Sequence, residues 1–437
     1  MKRTVDTAEA NAPMSRAHGC AWTAALTVLA LGSPSAALAA WTKSYVVEWN
    51  EPAMYYGAKS GVIDPGTDCP QGTNPEIDWI KVLMDAGYTR EEAEWLRNPA
   101  NPTRSPVHGQ NQMAFRGKER ANVYVNPTST PDPGLVGVSG TIGEGIDLDG
   151  NEATGFTSPT GEKGIDNNFY KTLGCWKTYR GPRRLSSGAL QFNDSMRNGG
   201  WTTVIVVAGT GNDPLNDENV TVGFYVSDDK MVKDGNGDIA RDYTFSIKPH
   251  AKYEAIFPAR SRNGVITSTR PVAGALRDPG YWRDLELLQA QVKLEMKPDG
   301  ALTGYVGGYR AWEPVYRGWV SARGPVIEAL TWVQLPGVYY ALRRNADYSP
   351  TGKGEKTHIS YALRVDAIPA YVTTPDGTAQ VAAVESYKSI AQPIENARFA
   401  ATSFRVIDGI VIDPKAQHQA GPKAVILPPA NVANTKQ

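Results

Sequence analysis

Residues 289–297 read QAQVKLEMK, 298–300 are Pro-Asp-Gly, and 301–309 read ALTGYVGGY. Ala290, Val292, Leu294 and Met296 fall on one face, Gln291, Lys293, Glu295 and Lys297 on the other. Strict alternation of this kind marks a half-buried strand, and Pro-Asp-Gly is turn chemistry that sends the chain back. The stretch predicts an antiparallel hairpin with one wet face, which sets the class for the rest of the chain.

Outward from the hairpin the same punctuation recurs. Residues 202–208 (TTVIVVA) form a continuous β-branched run, the pattern of a strand buried on both faces. Residues 220–226 (VTVGFYV) and 243–247 alternate, as do Ile359, Tyr361, Leu363 and Val365. Further strands are expected at 43–49 (KSYVVEW), 121–125 and 403–412. Helix signals gather before residue 100. Asn74 and Pro75 open one candidate, which carries Ile77, Ile80 and Met84 to Gly87, and Thr89-Arg90-Glu91-Glu92 is a capping box for a second ending before Pro99. The reading is a mainly antiparallel β-sandwich or jelly-roll over 121–413, preceded by a strand and helical hairpin over 41–120. The acid-free segment 414–437 reads as a disordered tail.

The first forty residues carry an export signal. An apolar run at 21–31 follows Arg16 and leads to Ala37-Leu38-Ala39, which places small residues at −3 and −1 of a cleavage site. The run is far shorter than the ~20 apolar residues of a membrane span, so it reads as a cleaved leader. Met14 would open a conventional leader, and Cys20 precedes the apolar run, where a lipobox cysteine would not stand. The expected location is periplasmic or extracellular. No integral membrane segment is expected in the mature chain.

Charge excludes some partners. The chain has 45 Lys and Arg against 45 Asp and Glu, and loss of a leader with three basic and two acidic residues shifts that by one charge. Nucleic-acid binding normally leaves a basic footprint, which is missing here. Cys69 and Cys175 remain after processing, and in an oxidising compartment an even pair reads as a disulfide, with two buried thiols as the alternative. No nucleophile elbow, zincin motif, haem-attachment motif, Walker A loop or dinucleotide fingerprint is present, so haem, nucleotide and flavin lack a signature.

Chemistry concentrates in residues 143–176. Asp147, Asp149, Asn151 and Glu152 surround Gly150, and Asp166, Asn167 and Asn168 follow on a neighbouring turn. Oxygen donors at such spacing suit calcium, which takes 6–8 oxygens at ~2.3–2.6 Å; the same residues also make ordinary Asx turns. Ser158 stands where an EF-hand would need its twelfth-position Glu. Asp234, Asn236 and Asp238 form a weaker calcium candidate, with Ile239 and Phe245 at the sixth and twelfth positions. Between Tyr305 and Tyr340, Tyr309, Trp312 and Trp319 either form a sugar-stacking platform near Glu313 or pack strands in the core. Arg183 and Arg184 belong to a basic turn, an anion contact or a solvated loop. A carboxylate-pair hydrolase needs only two Asp or Glu across a cleft, and Asp284, Glu286, Glu295, Glu313 and Glu328 supply candidates without selecting a pair.

The functional expectation is an exported, non-enzymatic cell-envelope β-protein, calcium-stabilised, that binds a glycan or an envelope protein. A carboxylate-dependent polysaccharide hydrolase and a structural subunit of an envelope assembly are the alternatives.

Overall fold

The computed structural model describes residues 39–55, 78, 80–81, 84, 88–97, 115–116, 121–176, 179, 183–249, 252–278, 283–320, 334–388, 406–407 and 410–411. The expected tail and all but the last two residues of the expected leader lie outside them, as do Cys69, Arg180, Glu328 and most of the first predicted helix; within that helix, residues 80, 81 and 84 are helical.

Eight strands form the frame: β1 (Trp41–Pro52), β2 (Thr202–Gly209), β3 (Asp217–Ser227), β4 (Glu254–Arg262), β5 (Val265–Ser268), β6 (Arg283–Met296), β7 (Leu302–Ala311) and β8 (His358–Pro369). Each pairs antiparallel with its neighbour in sequence, and β8 returns to pair with β1. The strand Val272–Asp278 continues the line of β5 and pairs with the first half of β6. The fold is therefore mainly antiparallel β, as the alternation predicts. It is a closed eight-stranded barrel rather than a sandwich or jelly-roll. Alternation shows that a strand has one dry face; it does not show whether the sheet closes on itself or stacks on a second one.

The predicted hairpin is β6–β7. Met296 faces Leu302 and Glu295 faces Thr303, and the turn closes with the Lys297 N–H donating to the Ala301 carbonyl at 2.8 Å. A bulge between Leu288 and Gln291 interrupts the pairing, and Gln289 there takes φ 50°. Gly304 is required by closeness: a Cβ on it would stand 2.1 Å from the Lys293 carbonyl oxygen.

Tyr45, Ile205, Val207, Val222, Phe224, Phe257, Val292, Leu294, Val306, Leu363 and Val365 fill the barrel, none more than 3% exposed. Phe224 meets Phe257 edge-on at 5.8 Å. Each such side chain contributes about 1.5–3 kcal/mol by burial, and eight strands give an interior that side chains can fill. Gln291, Lys293 and Glu295 of β6 take outward positions. No helix among the described residues is long and apolar enough to cross a membrane.

Helices and loops cover the wall in patches. Helix α1 (Arg90–Arg97) has the predicted capping box: the Thr89 N–H donates to Glu92 Oε2 at 2.8 Å, and the Glu92 N–H to Thr89 Oγ1 at 3.2 Å. Helices α2 (Asn168–Leu173), α3 (Ser187–Arg197) and α4 (Leu335–Asn345) were not expected from the sequence. Asn193 of α3 occupies a place on β1 that β2 does not reach. Its amide accepts from the Asn50 N–H at 2.8 Å and donates to the Asn50 carbonyl at 2.7 Å, as a neighbouring strand would. Of the expected strand at 121–125 only Ala121–Asn122 forms, and 243–247 supplies Thr244–Ser246, parallel to Tyr371–Thr373. From 403–412 the short pair Val406–Ile407 and Ile410–Val411 is described.

Candidate functional site

The segment 141–166 folds back on itself through bridges between Ile146 and Asp166 and between Phe156 and Ile165. It lies on the outer wall of the barrel, where Gln291 of β6 donates to the Leu148 carbonyl at 3.0 Å and Lys293 pairs with Glu162. Three of the predicted calcium ligands converge there. One oxygen each of Asp147, Asp149 and Asp166 lies within 4.8 Å of the others. Backbone N–H groups hold the carboxylates: Gly150 donates to Asp147 Oδ1 at 2.7 Å, Asn151 to Asp149 Oδ1 at 2.8 Å, and Leu148 to Asp166 Oδ2 at 2.8 Å. Gly164, at φ +79°, makes room for this group, since a Cβ would stand 3.0 Å from Asp147 Oδ2. Glu152 is not part of the converging set, and Asn151 Oδ1 accepts from the Ala153 N–H at 3.1 Å. Burial pushes the Asp166 carboxyl up to about 6, with the charges of Asp149 and Asp347 acting the same way against its bond to the Leu148 N–H.

Tyr309 of β7, named from the sequence as a sugar platform, belongs to this neighbourhood. Its ring stacks on Tyr348 at 4.2 Å and 13° and packs on Ile146 and Leu148, which leaves it only 6% exposed. Its hydroxyl makes no hydrogen bond to another described residue. Burial raises its pKa, and Asp166, Asp347 and Asp149 raise it further in that order. Asp347 accepts from the Ser360 N–H at 2.7 Å and from its Oγ at 2.5 Å, and burial raises its pKa as well.

The other two platform residues are core. Trp312 and Trp319 are 5% and 2% exposed, and Trp319 packs on Trp176 at 5.4 Å. Residues 312–320 are helical, not extended, and Trp312, Tyr316 and Trp319 fall on one helical face at spacings of four and three. That spacing was the available signal. Cys175 is fully buried. Among the loose carboxylates, Asp284 meets Lys252 and Tyr253, Glu295 meets Lys297, and Glu313 meets Arg317.

A second feature was not visible in the sequence. An open groove of about 720 Å³ runs along the outer face of β1 and β8 and is lined by Glu48, Arg183, Arg184, Asp234, Asp238, Arg241 and Asp366, among others. Arg183 Nη2 donates to both oxygens of Asp366, at 2.9 and 2.8 Å. Arg184 Nη2 reaches Glu48 at 3.0 Å and Asp366 at 2.7 Å. Asp366 is buried, while the two guanidinium side chains stay 45% and 39% exposed. The basic turn is thus an ion-paired strap on the barrel. Behind it Glu51 is 1% exposed; burial pushes its carboxyl up to about 7, against the pull of Arg364 and Arg183. The loop at Asp234 is a self-capped turn in which Asp234 Oδ1 accepts from the N–H groups of Asn236 at 2.8 Å and Asp238 at 3.1 Å. Neither acid belongs to a converging metal set among the described residues. Two residues beyond Arg241, Tyr243 is 45% exposed, and its carbonyl accepts from the N–H of Tyr371, which is 50% exposed.

No protein-family model, curated protein or solved structure matches the chain.

Proposed function

We propose that this protein is an exported, non-enzymatic binding protein of the cell envelope that holds a polar glycan in the groove along β1 and β8. The observation that carries this reading is the groove itself, whose volume of about 720 Å³ lies within the ~300–1,000 Å³ common for small-ligand sites. Its half-exposed guanidinium groups are fixed by Asp366 yet keep donors for hydroxyl or carboxylate oxygens. The filled barrel interior favours an outer-wall site, and the leader supports the location.

The test is a thermal-shift screen of the mature protein against a glycan panel, repeated with Arg183→Ala and Arg241→Ala. A ligand at 100 times its Kd should stabilise the fold by about 2.7 kcal/mol. Both variants should lose that rise while staying folded. A panel with no shift, or variants that respond like the wild type, would sink the reading.

Hydrolysis of the bound glycan is a second reading. It is favoured by carboxylates reaching the groove from two separate elements, Glu48 and Asp366 on the barrel and Asp234 and Asp238 on a loop. Release of reducing ends from a glycan that binds would move the assignment to it.

A further inference from the structure

Taking the groove along β1 and β8 as the glycan site proposed above, on which this step rests, we infer that its ligand carries protonated amines. The groove then selects unacetylated amino sugars over neutral and acidic ones.

The charge balance of the lining points to such a ligand. The guanidinium groups of Arg183, Arg184 and Arg241 face the carboxylates of Glu48, Asp234, Asp238, Asp299 and Asp366, three positive charges against five negative. Each guanidinium is already engaged. Arg183 meets Asp366, Arg184 meets Glu48 and Asp366, and Arg241 Nη2 donates to the Asp299 carbonyl at 2.5 Å, with Asp299 Oδ2 3.9 Å from its Nη1. The two charges left over fall on Asp234 and Asp238, neither of which has an ion-pair partner among the described residues. Lys233, next in the chain, donates instead to Asn198 Oδ1 at 2.7 Å. Asp234 uses Oδ1 to cap its own turn, and no hydrogen bond from a described residue reaches its Oδ2 or the Asp238 carboxylate.

A bound metal is not the counter-ion these two carboxylates await, since they belong to no converging set among the described residues. An ammonium group asks for less: one carboxylate at hydrogen-bond distance gives it a charge-assisted bond, about twice as strong as a neutral one. Arg183 and Arg184 each engage their acids through Nη2 alone, so Nε and Nη1 carry no hydrogen bond to a described residue and can donate to ring hydroxyls. With their charge matched by Asp366 and Glu48, they do not draw in an anion. An acidic sugar would instead meet Asp234 and Asp238, and like charges brought together oppose binding. Acetylation removes the charge of the amine and two of its three N–H donors.

The experiment is calorimetric titration of the mature protein, at a slightly acidic pH that keeps the amines charged, with three oligosaccharides of equal length. These are oligomers of glucosamine, of N-acetylglucosamine and of galacturonic acid. The glucosamine oligomer should bind about tenfold tighter than the acetylated one, the margin of a hydrogen bond to a charged group, and the galacturonate oligomer should bind weakest. High salt should weaken the first more than the second, because it screens exposed charges. Asp234→Asn and Asp238→Asn should each narrow the preference for the amine severalfold, and the double variant should remove it. Asparagine keeps the Oδ1 that caps the turn at 234, so the variants should melt with the wild type. A double variant with the wild-type preference would overturn the inference. So would an acetylated or acidic oligomer that binds as tightly as the glucosamine one; if Arg183→Ala abolishes that binding, the groove remains the glycan site and only the amine is lost. No heat from any of the three would sink both readings.

Discussion

The outer wall of the barrel carries two acidic neighbourhoods that resolve their charge in opposite ways. At the groove, the buried Asp366 meets Arg183 and Arg184, and Glu48 shares Arg184, so the protein supplies its own counter-ions. At the 141–166 segment, Asp147, Asp149 and Asp166 converge with no cationic partner among the described residues. Carboxylates on the same wall are thus structural anchors in one place and an incomplete set in the other. What separates them is the sign of the nearest charge, not their residue type.

Removing an anchor should cost the most. Asp366→Ala removes the anchor of Arg183 and leaves Arg184 only Glu48, and should destabilise the fold by about 2 kcal/mol in urea unfolding, equally with and without calcium. A smaller loss in chelator alone would mean that the two neighbourhoods are coupled.

Glu51 sharpens the groove side through pH. Its folded pKa of about 7 lies above the ordinary 4.5, so between those values the folded state keeps a proton that the unfolded state has released. Its contribution therefore favours folding below about 4.5 and is lost as pH rises to about 7. Glu51→Gln should remove that slope, gaining about 2 kcal/mol on the wild type between pH 4.5 and 7.5. Parallel stability–pH curves for the two proteins would refute the assignment.

Asp166→Asn should show the reverse of Asp366→Ala. In chelator it relieves repulsion and should change stability by no more than about 1 kcal/mol, and added calcium should not stabilise it. A large loss in chelator would make Asp166 an anchor of the same kind as Asp366. The smallest effect belongs to Arg241→Ala. Its ion pair with Asp299 is a surface one, so stability should stay within about 0.5 kcal/mol while the proposed glycan binding weakens.

Some of this was legible in the chain. The β6–β7 hairpin and the capping box at Thr89 are local, each decided by residues within one turn or one strand pair. The acidic loop was legible for a similar reason: Asp147 and Asp149 are two residues apart, and Asp166 returns after a short bridged excursion. Glu152 stands outside the converging set, because adjacency in sequence does not aim a side chain inward. Trp312 and Trp319 were read as platform or strand residues where a helix buries them, a confusion of period rather than of composition.

The sequence by itself determined that the chain is built of antiparallel strands with one dry face, and that oxygen donors crowd residues 147–166. Both follow from patterns that span a few residues, and steric and solvation preferences act at that range. Only the tertiary structure decided that the sheet closes. Closure rests on β1 meeting β8, the opposite ends of the frame, and period-two alternation carries no information about which distant strand supplies the missing edge. The groove follows from that closure. Glu48 and Asp366 become neighbours when the two strands pair, and Arg183 then finds an anion that nothing near it in the chain could have supplied.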